Sequence, residues 1–359
     1  MDQHVSESIG RPDLIRLDDR LVCLRFETMK VVSALAAVRH LLDTGVVRRG
    51  DTLLDSSSGI YAYALALACH RHGMRCHIVG SATVDRTLRT QLQILGATLE
   101  QMQPSDDLKL DQKRRVERIH EVLVEHPEYH WMRQYHDDIH YLGYRQIADR
   151  IRQATAAQPL TVVGGVGSGA STGALARYLR EDLEHSTAST GPADIELVGV
   201  QPFGSVTFGS EHVSDPEIII AGIGSSIPFG NVSHGMYDTL HWISFAAALA
   251  GSVDLLRRHA VFAGLSTGAG YLAALNERER SPQRTVLFIA PDTGHRYIDT
   301  VYARYREAAR LADLAPHEVC DQRHLALPWS RMQWNRTDAA PPSVTRPRRP
   351  PGHRHRSRA

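Results

Sequence analysis

Apolar runs of strand length alternate with stretches whose apolar residues recur every three or four positions, and this alternation covers most of the chain. Leu21–Phe26 (LVCLRF) predicts a strand, and Lys30–Gly45 (KVVSALAAVRHLLDTG) a helix closed by its glycine. Asp51–Gly59 predicts a strand and its turn, Tyr61–Gly73 a helix and Met74–Gly80 a strand. A helix follows over Asp85–Gly96 and a short strand over Ala97–Met102. Farther on, Leu160–Gly165 reads as a strand, Ser171–Leu183 as a helix and Ile195–Pro202 as a strand. His241–His259 predicts one long helix, Ala269–Arg280 another, and Arg284–Pro291 a strand. Such alternation calls for parallel sheets covered by helices, an α/β fold. An early and a late sheet unit are expected, with the chain passing between them over about Pro127–Ile151.

Composition adds little to this picture until the C-terminus. The 359 residues are 42% apolar and 23% charged, with a net charge of +1. These values suit a globular protein and give no sign of a nucleic-acid or membrane-surface partner. After Asp338 the acidic residues stop, and Arg346, Arg348, Arg349, Arg354, Arg356 and Arg358 stand among prolines. Such a segment cannot bury a core, and disorder is expected there. Cys23, Cys69, Cys76 and Cys320 lack framework spacing, which suits a reducing compartment. The N-terminus is polar and no apolar run approaches a membrane span, so a cytoplasmic location is expected.

Glycine-rich turns carry the candidate chemistry. In TVVGGVGSGASTGALARYL a strand ends in Gly164, Gly165, Gly167 and Gly169, and a helix opens at once with Ser171 and Thr172. Backbone N–H groups at a helix start are unsatisfied and lie at the positive end of its dipole, so a phosphate fits there. Gly165, Gly167 and Ala170 also satisfy a dinucleotide pattern. That reading requires an acidic residue at the end of the next strand, which here ends in Val200, Gln201 and Pro202, with Glu196 near its beginning. A second turn, Gly264-Leu265-Ser266-Thr267-Gly268, matches a hydrolase nucleophile elbow, with Asp292 and His295 downstream as formal partners. Those two are close neighbours in sequence, unlike the separate loops of hydrolase triads. A third turn sets Ser56, Ser57, Ser58 and Gly59 between a strand and a helix, where hydroxyls and amides can hold a carboxylate or simply cap the helix. Cys69, His70, His72, Cys76 and His77 straddle a helix end, a turn and a strand, so their side chains diverge and no metal site is expected.

Taken in order, these turns resemble the fold-type II pyridoxal-phosphate enzymes, the group containing cysteine synthase, over about Ile9 to Tyr302. Lys30, in ETMKVV, stands where the family has its helix-opening lysine. Ser57, Ser58, Gly59, Ile60 and Tyr61 match the T-S-G-N-T-like loop. Gly167, Ser168, Gly169, Ala170 and Ser171 match the phosphate cradle. Ser266 in GLSTGA corresponds to the serine that meets the pyridine nitrogen, and Pro291–Tyr297 to P-D-S-G-E-R-Y. Gln134 falls at the family's substrate-carboxylate glutamine. With Gly204–Gly209 and the segment around Gly222 and Gly224, it makes the chain resemble the branch that forms N-(2-amino-2-carboxyethyl)-L-glutamate or 2,3-diaminopropionate precursors of siderophores and antibiotics.

The resemblance implies two three-layer α/β/α domains, with residues 1–47 and 146–330 forming the large cofactor-binding one and 48–145 a small substrate-loop one. Residues 331–359 would be a disordered basic tail. It also implies a homodimer, pyridoxal 5'-phosphate held as an imine by Lys30, and β-replacement on O-phospho- or O-acetyl-L-serine by way of an aminoacrylate. Several positions depart from the pattern. Ile60 replaces an asparagine, Val31 and Val32 replace Asp-Arg, the loop before Lys30 is shortened, and Gln146–Ile151 replaces T-G-P-E-I. The rival expectation is therefore a catalytically altered or non-catalytic homologue that binds a partner.

Overall fold

The computed structural model describes residues 1–81, 84–103, 108–155, 159–184, 194–217, 220 and 222–337. The first half runs α1 (Val5–Ile9), β1 (Asp13–Asp18), β2 (Leu21–Arg25), α2 (Lys30–Asp43), β3 (Thr52–Ser56), α3 (Ile60–His72), β4 (Arg75–Gly80), α4 (Arg86–Ile94), β5 (Thr98–Gln101), α5 (Leu108–Glu125) and β6 (His130–Trp131). The second half runs α6 (Arg145–Thr155), β7 (Leu160–Gly165), α7 (Ala170–Glu184), β8 (Ile195–Gln201), β9 (Thr239–Ile243), α8 (Phe245–His259), α9 (Leu265–Arg280), β10 (Thr285–Ala290), β11 (His317–Val319) and β12 (Trp329–Gln333), with short 3-10 turns between.

Two sheets organise these elements. The larger has the order β1-β2-β10-β7-β8-β9-β12-β11, and the smaller β5-β4-β3-β6. Strands β2, β10, β7, β8 and β9 pair in parallel, as do all four strands of the small sheet. Every residue of β10 (TVLFIA) is buried, and β7 and β8 are nearly so. A parallel strand covered by helices on both faces reads as a continuous apolar run of this kind. Because the central strands share one direction, their carboxyl ends open at one edge, where α/β sheets place ligands.

Two sequence expectations need correcting. His241–His259 is not one helix: β9 supplies His241, Trp242 and Ile243, and Ser244 caps α8 by accepting from Ala247 N–H at 3.3 Å. An apolar run buried on both sides carries no alternation to distinguish strand from helix, and only the serine cap marked the break. Nor does ordered chain stop at residue 330. Strand β12 continues through Arg331, Met332 and Gln333, pairs antiparallel with β9, and buries Ser330 and Arg331. The Arg-rich segment beyond Asp338 lies outside the described residues.

Helix α2 faces both units: Val32 joins the core beneath the large sheet, and its main stripe faces the small one. Val31, Ala34, Val38 and Leu41 form its apolar stripe and share a core with Ala62, Leu65 and Ile78 around the small sheet. Lys30 thus stands where the two sheet units meet.

Candidate active site

A cavity of about 690 Å³ opens between the carboxyl ends of the two sheets. Its walls include Lys30, Ser58, Gly59, Ile60, Gly167, Ser168, Gly169, Ser171 and Ser266, which the sequence singled out. Lys30 is fixed by the strand beside it. Phe26 N–H donates to Ala290 O at 2.9 Å and Met29 N–H to Pro291 O at 2.8 Å, so the turn before Lys30 is stapled to the end of β10. The shortened loop is replaced by these two backbone bonds.

Lys30 Nζ donates to Ser168 Oγ at 3.1 Å, and no carboxylate lies within 4.0 Å of it among the described residues. Burial lowers its pKa to about 8, although the side chain keeps partial access to the cavity. A helix start offers it no relief, since the dipole there disfavours a cation. The arrangement is a lysine whose neutral, nucleophilic form is within reach.

Opposite Lys30, the turn from β7 into α7 presents its backbone to the cavity. A Cβ at Gly167 would stand 2.4 Å from Gly222 O, and one at Gly169, where φ is +80°, 2.7 Å from Asn231 O. Only glycine permits this close approach. The resulting cradle leaves N–H groups at the start of a long helix accessible to an anion. Ser266 is buried in the first turn of α9 and contributes a neutral hydroxyl to the wall.

The third turn divides its labour. Ser57 Oγ accepts from Gly59 N–H at 3.3 Å and Ala62 N–H at 3.2 Å, so it caps α3 and stays off the cavity wall. Ser58, Gly59 and Ile60 reach the wall. Gln134 does not: its amide donates to Ser56 O at 2.7 Å. Ala170 is likewise buried behind the cradle. Sequence reasoning missed Asp55, which is enclosed and accepts from Ser56 N–H at 2.7 Å, Trp131 Nε1–H at 3.2 Å and Gln134 N–H at 3.0 Å. Burial outweighs these bonds and raises its pKa to about 7. An acidic residue in the apolar run TLLDS was the available signal. Asp85 and Arg296 were also missed; they line the cavity and form an ion pair between α4 and the segment after β10.

The competing motif readings do not assemble. His295 is exposed and contacts Thr293, while Asp292 accepts from Tyr297 Oη, so neither prepares Ser266 as a hydrolase nucleophile. Glu196 bonds Thr161 at the start of β8, the end of the strand away from the glycine turn. Among the described residues, no three His, Cys, Asp or Glu side chains converge as a metal site.

The model of the family "Pyridoxal-phosphate dependent enzyme" matches residues 12–292. The chain belongs to that family. Within it, the chain is 30% identical over 320 residues to N-(2-amino-2-carboxyethyl)-L-glutamate synthase of Cupriavidus metallidurans, covering 83% of this chain and 89% of the relative. It is 31% identical over 275 residues to the protein of the same name from Ralstonia nicotianae, covering 74% and 76%. In fold it is similar to the crystal structure of O-ureido-L-serine synthase, with a TM-score of 0.72, 22% identity, and coverage of 84% of this chain and 94% of that one. It is similar also to O-acetyl serine sulfhydrylase isoform 3 of Entamoeba histolytica, with a TM-score of 0.75, 18% identity, and coverage of 88% and 97%. The protein is thus a fold-type II pyridoxal-phosphate enzyme of the cysteine synthase-like type.

The cavity fits that cofactor on its own chemistry. A pyridoxal-phosphate enzyme needs an amine beside a cradle of accessible backbone amides, and Lys30 and the Gly167–Ser171 turn, joined by the Lys30–Ser168 hydrogen bond, supply both.

Proposed function

We propose that this enzyme performs β-replacement on an activated L-serine, O-phospho- or O-acetyl-L-serine, with an amine nucleophile, giving a β-substituted alanine such as a 2,3-diaminopropionate precursor. The observation that carries this reading is the enclosed, unpaired Lys30 amine 3.1 Å from the glycine cradle. The two curated relatives bear the name of a synthase whose product has this form.

In this reading Lys30 Nζ would hold the cofactor, and the Gly167–Ser171 amides with Ser168 and Ser171 would hold its phosphate. When bound, the cofactor supplies an electron sink for negative charge at the substrate's α-carbon. Lys30 Nζ would accept the substrate's α-proton, which its pKa of about 8 brings within reach near neutral pH. Ser266 Oγ gives the ring nitrogen a neutral partner. Ser58 and the Gly59 amide orient the substrate carboxylate. The apolar walls of Ile60, Ile223 and Phe245 exclude water while the leaving group departs and the nucleophile adds to the β-carbon.

Purified holoenzyme should absorb in the visible and convert O-phospho-L-serine plus an amino-acid nucleophile to a product of the expected mass. Donors and nucleophiles screened in all pairs without any such product would refute the reading. A second reading, a non-catalytic homologue, draws on Ile60, whose apolar side chain lies in the cavity wall at the family's asparagine position. Turnover of any donor disposes of it.

A further inference from the structure

Arg115, on α5 behind the cavity wall, is a half-buried cation that reaches Ser58. Its Nη1 donates to Ser58 Oγ at 2.5 Å, and Ser81 N–H donates to the same oxygen at 2.8 Å. A serine hydroxyl has two lone pairs and one hydrogen. With both lone pairs engaged, Ser58 has only its hydrogen left to offer, and Ser58 lines the cavity. It can therefore donate to a ligand but cannot accept from one.

The Nε of Arg115 is buried without a hydrogen-bond partner among the described side chains. A buried guanidinium N–H without an acceptor is costly, and the bond to Ser58 fixes which way the rest of the group points. Its field also acts through a medium less polar than water, so it remains strong at Ser58. One turn earlier on the same helix, Gln112 Oε1 accepts from Ser226 Oγ at 2.6 Å and Ser226 N–H at 3.2 Å. That loop continues from Gly222 and Ile223, which line the opposite side of the cavity. Helix α5 is thereby held at both sides of the cleft, and Arg115 is fixed relative to it.

We propose that Arg115 is a positioning residue for substrate recognition: it sets Ser58 as an obligate donor and lends it positive charge, making the Ser57–Ile60 turn a receptor for the carboxylate of an amino-acid substrate. The inference rests on the reading of this cavity as an amino-acid site. Arg115 does not touch the substrate itself and acts through Ser58.

The test uses holoenzyme and its visible absorbance, titrated with O-phospho-L-serine, L-serine and L-serinamide, which lacks the carboxylate. Arg115→Ala should raise the half-saturating concentration of both carboxylated ligands about 10- to 100-fold, the range of one hydrogen bond to a charged group, and leave L-serinamide nearly unchanged. Arg115→Gln, which keeps a donor without the charge, should fall between, and Arg115→Lys should restore most of the affinity. In a Ser58→Ala background, Arg115→Ala should add less than about twofold, since the two act as a unit. Equal weakening of L-serine and L-serinamide, or independent effects of the two substitutions, would overturn the proposal. Wild-type holoenzyme that binds L-serine but turns over neither activated donor would sink the β-replacement reading alone, and the L-serine arm would still decide the role of Arg115.

Discussion

This protein buries ionisable groups in two regions and treats them in opposite ways. Beneath the large sheet, Arg331 on β12 forks onto Glu277 on α9, with Nε to Oε1 at 2.6 Å and Nη2 to Oε2 at 3.3 Å. His241 on β9 completes the cluster through Nε2, 2.9 Å from Glu277 Oε1. Trp329 Nε1–H donates to His241 Nδ1 at 2.9 Å, which requires a lone pair there, so His241 carries its proton on Nε2 and gives it to Glu277. At and behind the cavity wall, by contrast, Lys30 and Asp55 lie enclosed without opposite charges, and the buried Arg115 Nε has no partner. The difference separates two purposes. A paired cluster fixes strand to helix, whereas an unpaired group is held in a strained protonation state or waits for a ligand.

The sharpest break of the contrast is at Lys30. Lys30→Ala should abolish the visible absorbance and lower turnover by at least about 10³-fold, while the melting temperature of the apoenzyme holds or rises, because an uncompensated charge is removed. Arg331→Ala should do the reverse. Leaving Glu277 buried and half-paired should cost about 3–5 kcal/mol in denaturant unfolding, with turnover per folded molecule preserved.

The two regions should also titrate with opposite signs. Burial alone would raise Glu277, but the bonds from His241 and Arg331 outweigh it and lower its pKa to about 2. Its contribution to stability is therefore present above the unfolded value of 4.5 and is lost as pH falls toward 2. Asp55 is raised from 3.8 to about 7. Between those values the unfolded chain releases a proton that the folded one keeps, so this group's contribution falls as pH rises. Unfolding measured across pH should show the acid-side loss disappear in Glu277→Gln and the decline between about pH 4 and 7 flatten in Asp55→Asn. Turnover limited by proton abstraction should rise with pH through about 8, the value for the free Lys30 amine. The smallest effect is expected from Ile60→Asn, which places a hydrogen-bonding amide in an apolar stretch of cavity wall. Half-saturation by pyridoxal 5'-phosphate in the apoenzyme should improve by about 2- to 10-fold, the range of one neutral hydrogen bond.

What the chain disclosed in advance follows the same division. The cradle, Lys30 and Ser266 were legible because each sits on a local signal, a glycine turn or a helix start beside a strand. The α/β class was legible because alternating periods are also local. The His241–Glu277–Arg331 cluster was not: its members come from three elements far apart in sequence, and none of them sits on a local motif that names its partners. For the same reason the end of β12, from Arg331 onward, reads in sequence as part of a loose tail, although Arg331 is buried. Helix α5 escaped because its described inward face shows little more than Ile119 and Val122 to the core, too sparse a stripe to mark a helix. Arg115 became visible only with that helix in place.

The staple between Phe26, Met29 and the end of β10 has a consequence for biosynthesis. The strands of the small sheet come from one contiguous stretch, Thr52 to Trp131, and can pair as soon as that stretch has left the ribosome. The lysine turn cannot be set until Ala290 and Pro291 emerge, more than 250 residues after it. The surroundings that bury the Lys30 amine are therefore completed only near the end of translation.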